Sequence, residues 1–273
     1  MATGYNASMK ITIEAGIALE YRDEGKGPTV VLLHGFPLCS AMWRPQIAAL
    51  QKDYRVIVPD LRGFGGSTPV ADAPSLEQMA DDVGGLLDAL RIAEPVVLGG
   101  LSMGGYAALA VARRYPGRLR GLILADTRAE PDDAQGKANR DAMIDFARAN
   151  DARAVIDKML PRLLAEKTLA ARPEVVQEIR DMAAAQEIDG IVGALKVLRD
   201  RPDARPGLAS IRVPTLVVVG SEDALTPPAM AETLAAGIAD ATLVIIPGAG
   251  HMSNLEEPEA FNAAIAGFLR RLG

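Results

Sequence analysis

Residues 95–114 read PVVLGGLSMGGYAALAVARR, and this stretch decides the fold. Val96 to Leu98 is a short aliphatic run without alternation, as in a strand buried on both faces. Met103 to Tyr115 has the composition of a helix and is stopped by Pro116-Gly117. Between them lies Gly100-Leu101-Ser102-Met103-Gly104. Gly-x-Ser-x-Gly between a strand and a helix is a turn that holds its serine in a strained conformation. The turn is tight, so the flanking positions must lack bulk. The serine Oγ then projects above the sheet at the positive end of the following helix, where backbone N–H groups can receive a developing oxyanion. Ser102 is the candidate nucleophile, and the N–H of Met103 is one candidate oxyanion donor.

Outward from this turn, strand and helix signals alternate. Thr29 to Leu33, Val56 to Val58, Leu122 to Leu124, Leu216 to Val219 and Leu243 to Ile246 are further aliphatic runs. Leu76 to Leu90 is helical in period and opens on a Ser75/Gln78 capping box. Pro227 to Ala236 and Glu257 to Leu272 are also helical. Such alternation implies crossover connections and a mostly parallel sheet with helices on both faces. Lys10 to Glu14 and Ala18 to Arg22 alternate apolar and polar residues about Ala15-Gly16, which predicts an antiparallel N-terminal hairpin. From Arg128 to about Arg205 the strand signal vanishes and helical stretches follow one another. The expected organisation is a core of residues 1–127 and 206–273, with residues 128–205 as a helical cap.

Composition narrows the function. At 273 residues the chain can bury roughly three quarters of its unfolded surface. A net charge of −6, with no basic run, argues against nucleic-acid and polybasic membrane partners. No charge-free apolar stretch is long enough to span a bilayer, and the N-terminus has no secretory pattern. A cytoplasmic protein is the expectation. One cysteine and two histidines leave no basis for a Cys- or His-rich metal site, so no metal and no cofactor is expected.

A serine hydroxyl needs a base, and histidine is the usual one near neutral pH. His251 lies just past the last strand signal, in Gly248-Ala249-Gly250-His251-Met252, where a loop can reach back over Ser102. His34, directly after the Thr29–Leu33 run, reads as structural. The imidazole in turn needs a carboxylate to hold its tautomer. Asp223 in Gly220-Ser221-Glu222-Asp223 is preferred, with Asp126 a competitor because it too ends a strand. A second oxyanion donor is expected from His34-Gly35-Phe36-Pro37, through the N–H of Phe36, since Pro37 has none. Trp43 is a candidate for the substrate pocket, with a core position equally open. Cys39 reads as a small packed residue, and Arg128 as a hinge ion pair.

Together, HGFP at 34–37, DLRGFGGS at 60–67, GLSMGG at 100–105, GSED at 220–223 and GAGHM at 248–252 resemble the α/β-hydrolase family. The resemblance runs from about Lys10 to Arg271 and is closest to small bacterial carboxylesterases and enol-lactone hydrolases. It implies a serine hydrolase acting on small carboxylic esters or lactones, with Ser102, Asp223 and His251 as its triad. A serine at 102 sets aside the aspartate-nucleophile branches. Perhydrolase chemistry of the cofactor-free haloperoxidase type and a receptor built on a hydrolase scaffold are the alternatives.

Overall fold

Leu32 and Leu33 are adjacent, fully buried, and belong to different halves of the core. Strand neighbours point to opposite faces of a sheet, so a strand covered on both sides reads as an unbroken apolar run. The computed structural model describes residues 7–13, 16–69 and 74–273. Among these, eight strands form one sheet: β1 (Met9–Thr12), β2 (Ala18–Glu24), β3 (Thr29–Leu33), β4 (Arg55–Pro59), β5 (Val96–Leu101), β6 (Leu119–Ala125), β7 (Thr215–Gly220) and β8 (Ala241–Ile246). Their order is β1-β2-β4-β3-β5-β6-β7-β8. The pairs β1–β2 and β2–β4 are antiparallel, and the rest are parallel. Glu14 and Ala15, at the expected hairpin turn, lie outside the described residues.

The α-helices are α1 (Arg44–Leu50), α2 (Leu76–Ala89), α3 (Met103–Arg114), α4 (Ala134–Ala149), α5 (Ala152–Leu163), α6 (Glu166–Ala171), α7 (Pro173–Ala184), α8 (Ile188–Asp200), α9 (Pro228–Gly237), α10 (Ser253–Glu256) and α11 (Pro258–Arg271). Met79 and Val83 of α2, Val111 of α3 and Leu234 of α9 pack with Val31 and Leu33 on one face. Ile47 of α1 and Phe261 and Phe268 of α11 pack with Val30 and Leu32 on the other. The Ser75/Gln78 capping box is present, each side chain bonded to the other residue's backbone N–H.

Between β6 and its neighbour β7 the chain runs through α4 to α8 with no strand. Within this insertion α4 packs on α8, and α5 on α7. The helix expected over 152–166 stops at Leu163. Pro161 cannot donate to the helix ladder, α5 ends two residues later, and α6 follows separately. A second difference lies at the sheet edge. Leu243 to Ile246 reads as buried on both faces, yet β8 has one neighbour only and Ile245 is exposed.

Candidate active site

Ser102 has φ 52° and ψ −110°, a conformation that costs a non-glycine residue roughly 1–3 kcal/mol. The surroundings enforce it. Its N–H donates to Ala125 O at 2.9 Å. Its carbonyl accepts from the Thr127 hydroxyl at 2.9 Å and the Tyr106 N–H at 3.1 Å. A Cβ at Gly100 would lie 2.1 Å from Gly104 O, and one at Gly104 would lie 2.2 Å from Leu33 O. The glycines are therefore required by backbone contact, which brings the end of β3 against the start of α3.

That contact places the segment after β3 beside the serine. A Cβ at Gly35 would lie 3.7 Å from Ser102 Cβ, and Phe36 lines the same cavity as Ser102. His34 is fully buried and does not line this cavity. Its Nδ1 lies 3.0 Å from Gly35 O, and its Nε2 accepts the Leu61 N–H at 2.9 Å. With Nδ1 as the donor, both ring nitrogens are engaged, and burial pushes its pKa down. The ring is thus a neutral brace, as its position in the sequence suggests.

His251 follows β8 and is held from three sides. Its backbone N–H donates to Leu163 O at 2.9 Å. Its Nδ1 lies 2.8 Å from Asp223 Oδ2 and 3.2 Å from the Thr226 hydroxyl. Asp223 accepts from the N–H groups of Leu225 and Thr226, both at 2.8 Å, and from the Thr226 hydroxyl at 2.6 Å. Burial raises its pKa, but the His251 charge and the hydrogen bonds from His251 and Thr226 outweigh it and hold the carboxyl at about 2. An ionised Asp223 fixes the Nδ1–H tautomer and leaves the Nε2 lone pair free for proton transfer. Glu222, next in sequence, is exposed.

Asp126 does something different. It is fully buried with φ 43°, and its carboxyl accepts from Gly220 N–H at 2.9 Å and contacts the Ser253 hydroxyl at 2.5 Å. Burial, then the negative charge of Asp223, pushes its pKa well up. It joins the end of β6 to the end of β7, just before Asp223, and to Ser253, two residues after His251.

Ser102, His251, Thr226 and Phe36 share the wall of a cavity of about 530 Å³. The insertion contributes Met143, Met159, Leu163, Leu195 and Leu198 to it. Among the described residues no hydrogen bond joins the Ser102 hydroxyl to His251. Arg128 also lines the cavity and pairs with Asp132, whose carboxylate receives Arg140 and Arg201 as well.

Trp43 corrects an expectation. It does not line this cavity; it is fully buried with its ring centroid 6.1 Å from that of Phe261. A large apolar ring on a short connection beneath α11 fills core more readily than it reaches over the sheet's edge. Cys39 is half-buried, and burial pushes its thiol up to about 11, far from a reactive thiolate. No group of three or more His, Cys, Asp or Glu side chains among the described residues is placed to hold a metal ion.

Two residues of the site escaped the sequence reading. Thr226 had a local signal, since Asp-x-x-Thr is a spacing at which side chains and backbone close on each other. Glu256 had none for its bond to the insertion, because Ala165 is some ninety positions away.

Comparison with known proteins agrees with the fold. A profile described as alpha/beta hydrolase fold matches residues 28–258, and the chain belongs to that family. A thermophilic esterase from Thermogutta terrifontis, solved with malate bound, is similar over 98% of this chain and 99% of its own, at 43% identity and TM-score 0.93. The enol-lactonase structure from Burkholderia xenovorans is similar over 96% of this chain and 100% of its own, at 33% identity and TM-score 0.89. A 3-oxoadipate enol-lactonase of Acinetobacter baylyi is 30% identical over 257 residues, 93% of this chain and 94% of that one.

Proposed function

We propose that this alpha/beta hydrolase cleaves small carboxylic esters, lactones included, through an acyl-enzyme on Ser102. The observation that carries the reading is the Asp223–His251 pair, set in the same cavity wall as a serine held in a strained turn. His251 Nε2 takes the Ser102 proton as Oγ bonds to the ester carbonyl carbon. The tetrahedral oxygen is held by the N–H groups of Phe36 and Met103. His251 returns the proton to the alcohol oxygen as its bond to carbon breaks. Water then enters and gives a proton to the same nitrogen as its oxygen bonds to the acyl carbon; His251 passes that proton to Oγ as the carbon–Oγ bond breaks, which releases the acid and the free serine. The negative Asp223 stabilises the imidazolium in both halves. The serine, aspartate and histidine follow one another in the order common to this fold.

Residues 128–205 serve as a cap on a core of 1–127 and 206–273. Met159, Leu163 and Leu195 give the cavity an apolar wall, which suits short acyl chains of about two to six carbons. The esterase and enol-lactonase names of similar proteins support an ester or lactone substrate. No observation favours the perhydrolase or receptor alternatives, although a chloroperoxidase is among the similar proteins.

An activity panel, run with and without peroxide, and covalent labelling test the reading. A p-nitrophenyl ester and lactone panel is expected to show turnover with its maximum at acetate or butyrate. Fluorophosphonate is expected to label Ser102 alone. Activity that requires peroxide, or a single round of hydrolysis, would replace this reading with one of the alternatives.

A further inference from the structure

We propose that Glu256 is a positioning residue that ties the loop of His251 to the helical insertion, so that the insertion holds the base in place. The proposal rests on His251 acting as the general base.

Glu256 ends α10 and is 1% exposed. Its Oε2 accepts the N–H of Ala165 at 2.9 Å, and its Oε1 accepts the N–H of Met252 at 3.2 Å. The Thr168 hydroxyl and the Gly250 N–H face the same carboxyl and favour its charged form. The groups around the carboxyl fall into two pairs. Gly250 and Met252 flank His251 in the chain. Ala165 and Thr168 belong to the segment where α5 gives way to α6. One carboxylate thus clasps both sides of the histidine to the insertion. The His251 N–H to Leu163 O bond lies in the same seam. The seam is tight, because a Cβ at Gly250 would lie 2.5 Å from Ala165 N.

The residue type is informative. Ala165 N–H binds one carboxylate oxygen and Met252 N–H the other, so both oxygens must accept; a glutamine offers one acceptor oxygen and adds donors of its own. Among the described residues no basic side chain pairs with the Glu256 carboxylate, and Arg172 reaches only its backbone oxygen, at 2.8 Å. Burial opposes ionisation and pushes the pKa up. A residue that only filled space here would be apolar. Asp223 orients the imidazole ring but not the backbone that carries it. That backbone is set by the seam, and a base displaced by about 1 Å loses on the order of 100-fold in rate.

The test compares Glu256→Gln and Thr168→Val with wild type on p-nitrophenyl acetate and butyrate, well below each variant's Tm, with His251→Ala as reference. Glu256→Gln is expected to lower kcat about 10- to 100-fold, by the same factor for both esters, with KM nearly unchanged. Thr168→Val is expected to move kcat the same way by less. A folded Glu256→Gln with wild-type kcat overturns the proposal. So does a change confined to KM or to one ester, which would mean that the carboxylate shapes the pocket wall only. Should Glu256→Gln fail to fold, an unchanged kcat in Thr168→Val overturns it. Wild-type activity in His251→Ala would instead overturn the reading of His251 as the base.

Discussion

Asp223 and His251 stand on loops that leave β7 and β8, and Oδ2 of the first lies 2.8 Å from Nδ1 of the second. The two strands are parallel neighbours, so both loops emerge at the same end of the sheet. Ser102 leaves β5 at that end too. Three residues far apart in the chain meet because parallel strands deliver their following loops to one edge.

Ser102→Ala is expected to abolish ester hydrolysis, by about 10⁴- to 10⁶-fold, with the fold kept. Ser102→Gly is expected to be as inactive yet more stable than Ser102→Ala, since glycine tolerates the positive φ. The gain should be about 1 kcal/mol or more, read by thermal or urea unfolding. Equal stability of the two variants would show that the turn stores no strain.

Asp223→Asn should cost far more activity than Asp126→Asn, by about 10³-fold or more. The ionised Asp223 holds the histidine tautomer, whereas the buried Asp126 carboxyl is pushed toward its neutral form, which asparagine imitates. Kinetics at one pH decide it. A larger loss in Asp126→Asn would reverse the two roles.

Acid stability follows from the same pair with opposite signs. The Asp223 carboxyl sits at about 2 against an ordinary 3.8, so its contribution is present above about pH 4 and is lost as pH falls toward 2. That contribution is about 2 kcal/mol. Asp126 has a raised pKa, so its contribution is present below pH 3.8 and is lost as pH rises through the folded value. Unfolding of Asp223→Asn should therefore depend less on pH between 4 and 2 than wild type. Asp126→Asn should lose less stability than wild type as pH rises above 4. Unchanged slopes in both variants would contradict the two shifts.

Met159→Ala should move the acyl optimum to longer esters, because it removes bulk from the cavity wall. One extra methylene is worth about 1–3 kcal/mol in such a pocket, or roughly a tenfold change or more in kcat/KM. Trp43→Phe, on a core residue, should leave the ratio of acetate to octanoate hydrolysis unchanged. Measuring both variants on one ester series tests both statements. A shifted optimum in Trp43→Phe would return that residue to the pocket.

Much of this fold is written in short-range pattern. The aliphatic runs of β3, β5 and β7, the helical period of α2 and the Ser75/Gln78 cap are local, because each depends on residues within one turn or one strand. The turn at Ser102 is local as well, since its glycines flank the serine directly. Which partner each candidate meets is not local. Asp126 and Asp223 both end strands, and only the packed sheet sends one to Ser253 and the other to His251. Ile245 looks like core until its strand proves to be the edge. Trp43 looks equally suited to pocket and core until α11 closes over it. Glu256 meets Ala165 across ninety residues, a contact that exists only when the insertion is folded against the loop of His251. Periodicity and turn chemistry act between chain neighbours and can be read in order. Burial, edge position and hydrogen-bond partners arise between segments brought together by folding, and those the tertiary structure alone decided.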